Sequence, residues 1–105
     1  MRLIADLGGT HCRFALADEH GNLSSIQTLK AAHYTTIDDA IAAYLAAQNI
    51  RPDSACLAVA GPTSRDAMQM TNLNWRSTEA QLNKRFGFNS TAFINDFEAI
   101  ALSVP

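Results

Sequence analysis

The first seventeen residues constrain the fold most. The apolar run Leu3-Ile4-Ala5 leads into Asp6-Leu7-Gly8-Gly9-Thr10, and an alternating run from Cys12 to Ala17 follows at once. This layout predicts strand, tight turn, strand. Adjacent glycines let the backbone take φ > 0 and let another group approach the main chain closely. Turn N–H groups left unpaired can face an anion, and we expect those of Gly8 and Gly9 to point into an open cleft. Asp6 ends the first strand, where a carboxylate can hold a metal ion beside that anion. Thr10 adds a hydroxyl donor. These are the parts of a nucleotide-phosphate site. A hairpin that needs glycine only for its turn accounts for the same residues. Because the glycines lie between two strands, the usual dinucleotide-binding arrangement is excluded. The sequence contains neither G-x-G-x-x-G nor GxxxxGK[ST].

With 105 residues, 48% hydrophobic and 17% charged, the chain reads as one soluble globular domain. Such a length buries roughly 60–70% of the unfolded surface. A net charge of −2, with scattered basic residues, gives no electrostatic footprint for nucleic acid or an anionic membrane. The apolar stretch before Asp6 falls short of the about 7–15 residues of a signal peptide or the about 20 of a membrane helix. The expected location is therefore cytoplasmic. Cys12 and Cys56 sit in apolar strand patterns without a CxxC or a Cys/His cluster, which suits buried small hydrophobes better than a disulfide or zinc site. Asn89-Ser90-Thr91 matches a glycosylation sequon, which has no meaning without secretion.

Periodicity organises the rest. Cys12, Phe14 and Leu16 alternate with Arg13, Ala15 and Ala17 at period two. Asp18 to Asn22 is a turn cluster, and Leu23 to Leu29 predicts a third antiparallel strand. The pattern then becomes helical. Thr36 is an N-cap with Asp39 three residues on, and Ile37, Ala40, Ile41, Tyr44 and Leu45 share one face. Arg51-Pro52-Asp53 ends that segment. Ala55 to Ala60 reads as a buried strand closed by Gly61-Pro62, and Ala67 to Met70 as one more short strand. Ser77 or Thr78 caps a helix that ends at Gly87 after Lys84 and Arg85. Thr91 to Ile94 is a fifth core strand, and Phe97, Ile100 and Ala101 begin a final helix broken at Pro105. The order βββαβαβα predicts an α/β domain with a mixed five-stranded sheet.

Asn95-Asp96 stands where a buried strand hands over to a helix, the usual ligand edge of an open α/β sheet. An Asp there, shielded by Phe93 and Phe97, suits a general base towards a hydroxyl. Asn95 can donate to and accept from a substrate hydroxyl. The same pair also makes an ordinary helix N-cap. Thr71-Asn72-Leu73-Asn74-Trp75 is a polar loop fit to lie beside a polyhydroxylated ligand, with Trp75 as a packing anchor beneath it. His11 follows the glycine turn, within reach of a phosphate; His20 and His33 read as turn residues.

Taken together, these segments resemble the N-terminal part of the bacterial glucokinase family, within the hexokinase, actin and chaperone ATPase fold. The matching residues are Asp6-Leu7-Gly8-Gly9-Thr10 with Arg13, Ala58-Val59-Ala60-Gly61-Pro62, Met70 to Trp75, and Phe93-Ile94-Asn95-Asp96-Phe97-Glu98-Ala99. They run in order over essentially the whole chain. The resemblance implies a ribonuclease H-like (actin-like ATPase) domain spanning 1–105, the small N-terminal domain of a sugar kinase. It implies that Ala5, Asp6, Leu7, Gly8, Gly9 and Thr10 hold ATP phosphates, with Asp6 acting on Mg2+ through water. Asp96 would take the proton from the 6-hydroxyl of glucose as it attacks the γ-phosphate. Asn95, Asp96, Thr71, Asn72, Gly61 and Pro62 would bind the sugar. Many members have Asn where His11 stands, and some have Gly where Ala5 stands. The family continues with a second domain that carries further sugar ligands, a second phosphate loop and the adenosine pocket. That domain is thus an implied partner, and the resemblance allows a homodimer of the full-length enzyme. A non-catalytic sugar-sensing relative of the same fold is the alternative.

Overall fold

A computed structural model describes residues 1–59, 63–64, 67–70 and 75–94. Strands β1 (Arg2–Leu7), β2 (His11–Ala17) and β3 (Leu23–Lys30) open the chain as an antiparallel meander. A 3-10 turn (Ala31–His33) leads to helix α1 (Ile37–Gln48) and strand β4 (Ser54–Val59). Short strands β5 (Thr63–Ser64), β6 (Ala67–Met70) and β7 (Trp75–Thr78) precede helix α2 (Glu79–Phe86) and strand β8 (Ser90–Ile94). The main sheet has the order β3-β2-β1-β4-β8. β1, β4 and β8 run parallel, and β2 and β3 antiparallel to their neighbours. The expected mixed five-stranded sheet is therefore present. The expected final helix lies outside the described residues.

Period two sorts the side chains onto two faces. Leu3, Ala5, Leu7, Cys12, Phe14, Leu16, Leu57 and Phe93 join the large core with Ile37, Ile41, Tyr44 and Leu82 of the helices. Ile4, Ala17, Cys56 and Ala58 form a smaller cluster on the other face. Cys12 and Cys56 are both free and buried, and they point to opposite faces of the sheet. Buried small hydrophobes is the role both take.

Both helices start on threonine caps. Thr36 Oγ1 accepts from Asp39 N–H, and Thr78 Oγ1 from Gln81 N–H, each at 3.1 Å. Of the two cap residues named for α2, it is Thr78 that serves. α1 stops at Gln48, three residues before Arg51, because Asn49 takes the left-handed conformation at φ 54 and closes the last turn on Leu45 O. Gly87, at φ 73, does the same for α2. Thr91 ties α2 to β8: its N–H donates to Glu79 Oε2 at 3.2 Å and its hydroxyl to Asn83 Oδ1 at 2.7 Å.

A second sheet, β5-β6-β7, corrects the sequence reading, which gave one strand there. β6 and β7 pair antiparallel from Ala67↔Thr78 to Met70↔Trp75. Trp75 therefore begins a strand. It is 2% exposed and packs in the main core, so its anchoring role stands. Among the described residues no helix is long and apolar enough to cross a membrane.

Candidate phosphate-binding site

The register of the main sheet puts Thr28, Arg13, Asp6, Ala58 and Ile94 in one row across five strands. Asp6 and Arg13 are direct partners, carboxylate strand against guanidinium strand. Because Leu3, Ala5 and Leu7 fill the core face, Asp6 must project from the other. The row lies near the carboxyl ends of the three parallel strands, where open α/β sheets bind ligands. A cleft of about 380 Å³ sits there, lined by Asp6, Gly8, His11, Arg13 and Thr28.

The β1–β2 turn is a tight hairpin, as expected, but its glycines work differently. Positive φ among the described glycines occurs at Gly21 and Gly87, so neither Gly8 nor Gly9 uses that freedom. Gly8 is needed for close approach: a Cβ there would lie 3.0 Å from His11 O. Gly8 N–H donates to that same carbonyl at 2.9 Å, so it closes the hairpin and does not face the cleft. The tip is Gly9-Thr10, both exposed. Among the described residues no acceptor takes the N–H of either. Thr10 O accepts from Ala31 N–H at 3.0 Å, which fastens the tip to the start of the 3-10 turn. The tip thus carries two exposed backbone donors next to Gly8 and His11 of the cleft lining.

Asp6 is half-buried, and its charge reaches the next residue pair. Burial, with the Asp6 carboxylate adding to it, pushes the Cys12 thiol up to about 11. Ala5 and Leu7 are fully buried on the core face, so they reach the site through their backbone alone, in pairing with β2 and β4 on either side. Thr28 has no local signal in the sequence. It reaches the cleft because β3 pairs with β2 in one particular register. Gly61, Pro62, Thr71, Asn72, Asn95 and Asp96 lie outside the described residues.

The sequence profile of the glucokinase family matches residues 3–105. The chain belongs to the glucokinase family. It is 45% identical to a glucokinase of Nitrobacter hamburgensis, over all of this chain and 33% of that protein. It is 47% identical to a glucokinase of Chromohalobacter salexigens, over 98% of this chain and 33% of that one. This glucokinase-family chain thus spans about a third of the length of these relatives. Among solved structures, a glucokinase from an Antarctic psychrotroph superposes with TM-score 0.80 at 35% identity, covering 93% of this chain and 33% of that one. A ROK family glucokinase from Streptomyces griseus, in complex with glucose and AMPPNP, gives 0.71 at 25% identity over 94% and 35%. The fold is the actin-like ATPase fold of this group.

Proposed function

We propose that this chain is the phosphate-gripping part of a cytoplasmic glucokinase that transfers the γ-phosphate of ATP to the 6-hydroxyl of glucose. One observation carries the reading: the Gly9 and Thr10 N–H groups, unpaired among the described residues, lie at the hairpin tip between Gly8 and His11, which line a cleft together with Asp6. The relatives named glucokinase, and the one crystallised with glucose and AMPPNP, supply the substrate class.

Each residue then has a physical task. Gly9 and Thr10 donate to phosphate oxygens, with the Thr10 hydroxyl beside them. Gly8 keeps the hairpin tight enough to aim them, and Ala5 and Leu7 lock the strand that carries Asp6. Asp6 suits Mg2+, which keeps most of its waters and takes one or two carboxylates besides the substrate's phosphates. Among the described residues no group of three acidic, His or Cys side chains offers a closed metal cage instead. When bound, the ion neutralises charge on the polyphosphate.

Asp96 takes the proton of the attacking hydroxyl, and Asn95 orients that hydroxyl. Thr71, Asn72, Gly61 and Pro62 line the sugar side. What supports this is the row shared by Asp6 and Ile94. In the sequence Asp96 follows Ile94, the last residue of β8, by two positions. Phosphoryl transfer of this kind needs positioning and charge neutralisation more than covalent help. The remaining two thirds of the relatives' length would close the cleft and exclude water.

A coupled assay with glucose and Mg-ATP on the full-length polypeptide, wild type and Asp96→Asn, is the test. Turnover in the wild type and its loss in the variant are expected. Equal turnover in both overturns the assignment.

A further inference from the structure

His11 opens β2 directly after the Gly9-Thr10 tip, and it lines the same cleft as Asp6, Gly8, Arg13 and Thr28. Its backbone is held on both sides. The carbonyl oxygen accepts from Gly8 N–H at 2.9 Å, and the residue pairs with Lys30 of β3. Alternation along β2 fixes which way the ring points. Cys12 and Phe14 lie in the large core, so His11 and Arg13 project from the opposite face, where both are exposed. That is the face from which Asp6 projects.

The charged groups around this ring come from every neighbouring element. Asp6 stands on β1, Arg13 on β2 itself and Lys30 on β3. His33 ends the 3-10 turn whose first residue, Ala31, is fastened to Thr10 O. Asp6 is the direct partner of Arg13, which leaves it a diagonal neighbour of His11 at roughly 7–8 Å. Among the described residues His11, Arg13 and Lys30 enter no ion pair. Two permanent cations and an imidazole thus face one carboxylate at this corner. Such an imbalance beside exposed N–H groups attracts an anion.

We propose that the His11 ring is a third phosphate donor of the nucleotide grip, and that its protonation sets how tightly the grip holds. This rests on the assignment of the Gly9-Thr10 tip to the ATP phosphates. A neutral imidazole has one N–H to give, and a protonated one has two and a charge. Hydrogen bonds from a charged donor to phosphate are the stronger kind. Nucleotide affinity is therefore highest while the ring is protonated, and declines as pH rises through the range of about 5 to 8 in which imidazoles lose their charge. Guanidinium, ammonium and carboxylate groups keep theirs across that range, so the slope belongs to a histidine. Of His11 and His33, only His11 lines the cleft.

The test is calorimetric titration of Mg-AMPPNP into the full-length polypeptide from about pH 5.5 to 8.5. Wild type, His11→Asn, His11→Lys and His33→Asn are compared. Wild type should bind about tenfold more tightly than His11→Asn at the acid end, and equally at the alkaline end. The nucleotide's own phosphate titration is common to all four proteins and cancels. His11→Lys should keep the acid-end affinity throughout, because an ammonium stays charged. His33→Asn should follow the wild type. Near neutrality the wild type should also take up more protons on binding than His11→Asn does, read from the dependence of the heat on buffer.

NMR of the wild type supplies a measurement that needs no variant to fold. Binding and protonation are linked, so the ring protons of His11 should titrate at higher pH with Mg-AMPPNP than without it. An unmoved ring titration overturns the role of His11 and leaves the glucokinase assignment standing. So do wild-type and His11→Asn affinities that run parallel across the range, or a His33→Asn that loses the slope. A wild type that binds no nucleotide at any pH overturns both.

Discussion

The Tyr44 hydroxyl donates a 2.6 Å hydrogen bond to the carbonyl oxygen of Ser25. Ser25 is where β3 departs from regular pairing: its φ is +55, and the register against β2 shifts between Phe14 and Leu16. One α1 side chain thus pins the bulge of an otherwise exposed edge strand, while its ring stacks on Phe14 at 5.1 Å between centroids. Tyr44→Phe keeps the stack and removes the bond. A net loss of about 0.5–1.5 kcal/mol is expected. In a domain near this size each kcal/mol moves Tm by roughly 4–8 °C, so calorimetry resolves the effect. An unchanged Tm would mean that the bulge holds itself.

Gly8→Ala should damage the hairpin by crowding. The added methyl meets a backbone carbonyl at 3.0 Å, and that carbonyl is already the acceptor that closes the turn. Overpacking of this kind costs about 1–3 kcal/mol. In the full-length enzyme the KM for ATP should rise while that for glucose changes little. Gly8→Ala with wild-type stability and wild-type KM for ATP would remove the close-approach argument.

Alkaline stability should depend on Cys12. Its thiol is raised from an ordinary 9.0 to about 11, chiefly by burial and secondarily by Asp6. Above pH 9 the unfolded chain loses this proton while the folded chain keeps it, so the unfolded state binds fewer protons and stability falls as pH rises. The contribution is complete below pH 9 and is lost between about 9 and 11. Cys12→Ala, though less stable at neutral pH, should show a flatter decline over that window in denaturant titrations. Parallel declines in the two proteins would exclude Cys12 as the titrating group.

Asp96→Asn in the full-length enzyme separates catalysis from capping. Asn and Asp are near-equal N-caps, so Tm should hardly move. Loss of a general base lowers kcat by about 10²–10⁴-fold. Glucose affinity should fall much less, because the substitution leaves the proposed role of Asn95 untouched. Measuring kcat and Tm on one preparation decides the matter. A variant that keeps more than about a tenth of wild-type kcat overturns the proposed role of Asp96.

Elements with a long period or a cap could be read from the chain: the β1–β3 meander, α1 from Thr36, β4, α2 from Thr78 to Gly87, and β8. The second sheet could not. Of its strands Ala67–Met70 was legible, but Thr63–Ser64 is too short for alternation to stand out, and in Trp75–Thr78 the residues Ser77 and Thr78 signal a helix start more loudly than a strand. The end of α1 shifted because Asn49 can turn left-handed before Pro52 acts. In the site, Asp6 to Thr10 announce themselves locally. Thr28 does not, since its place depends on the offset at Ser25, which no nearby residue reveals. The free donors proved to be Gly9 and Thr10 because Gly8 spends its N–H on His11 O, a partition set by hairpin geometry alone.

Asp6 alternates with Leu3, Ala5 and Leu7 along one strand. A slip of one residue would turn the carboxylate into the core and an apolar side chain out into the cleft. Packing therefore proofreads the site: a chain misaligned by one position is not a folded enzyme with a misplaced acid but a chain that fails to fold. Insertions or deletions within β1 should accordingly disappear as lost protein rather than persist as inactive protein.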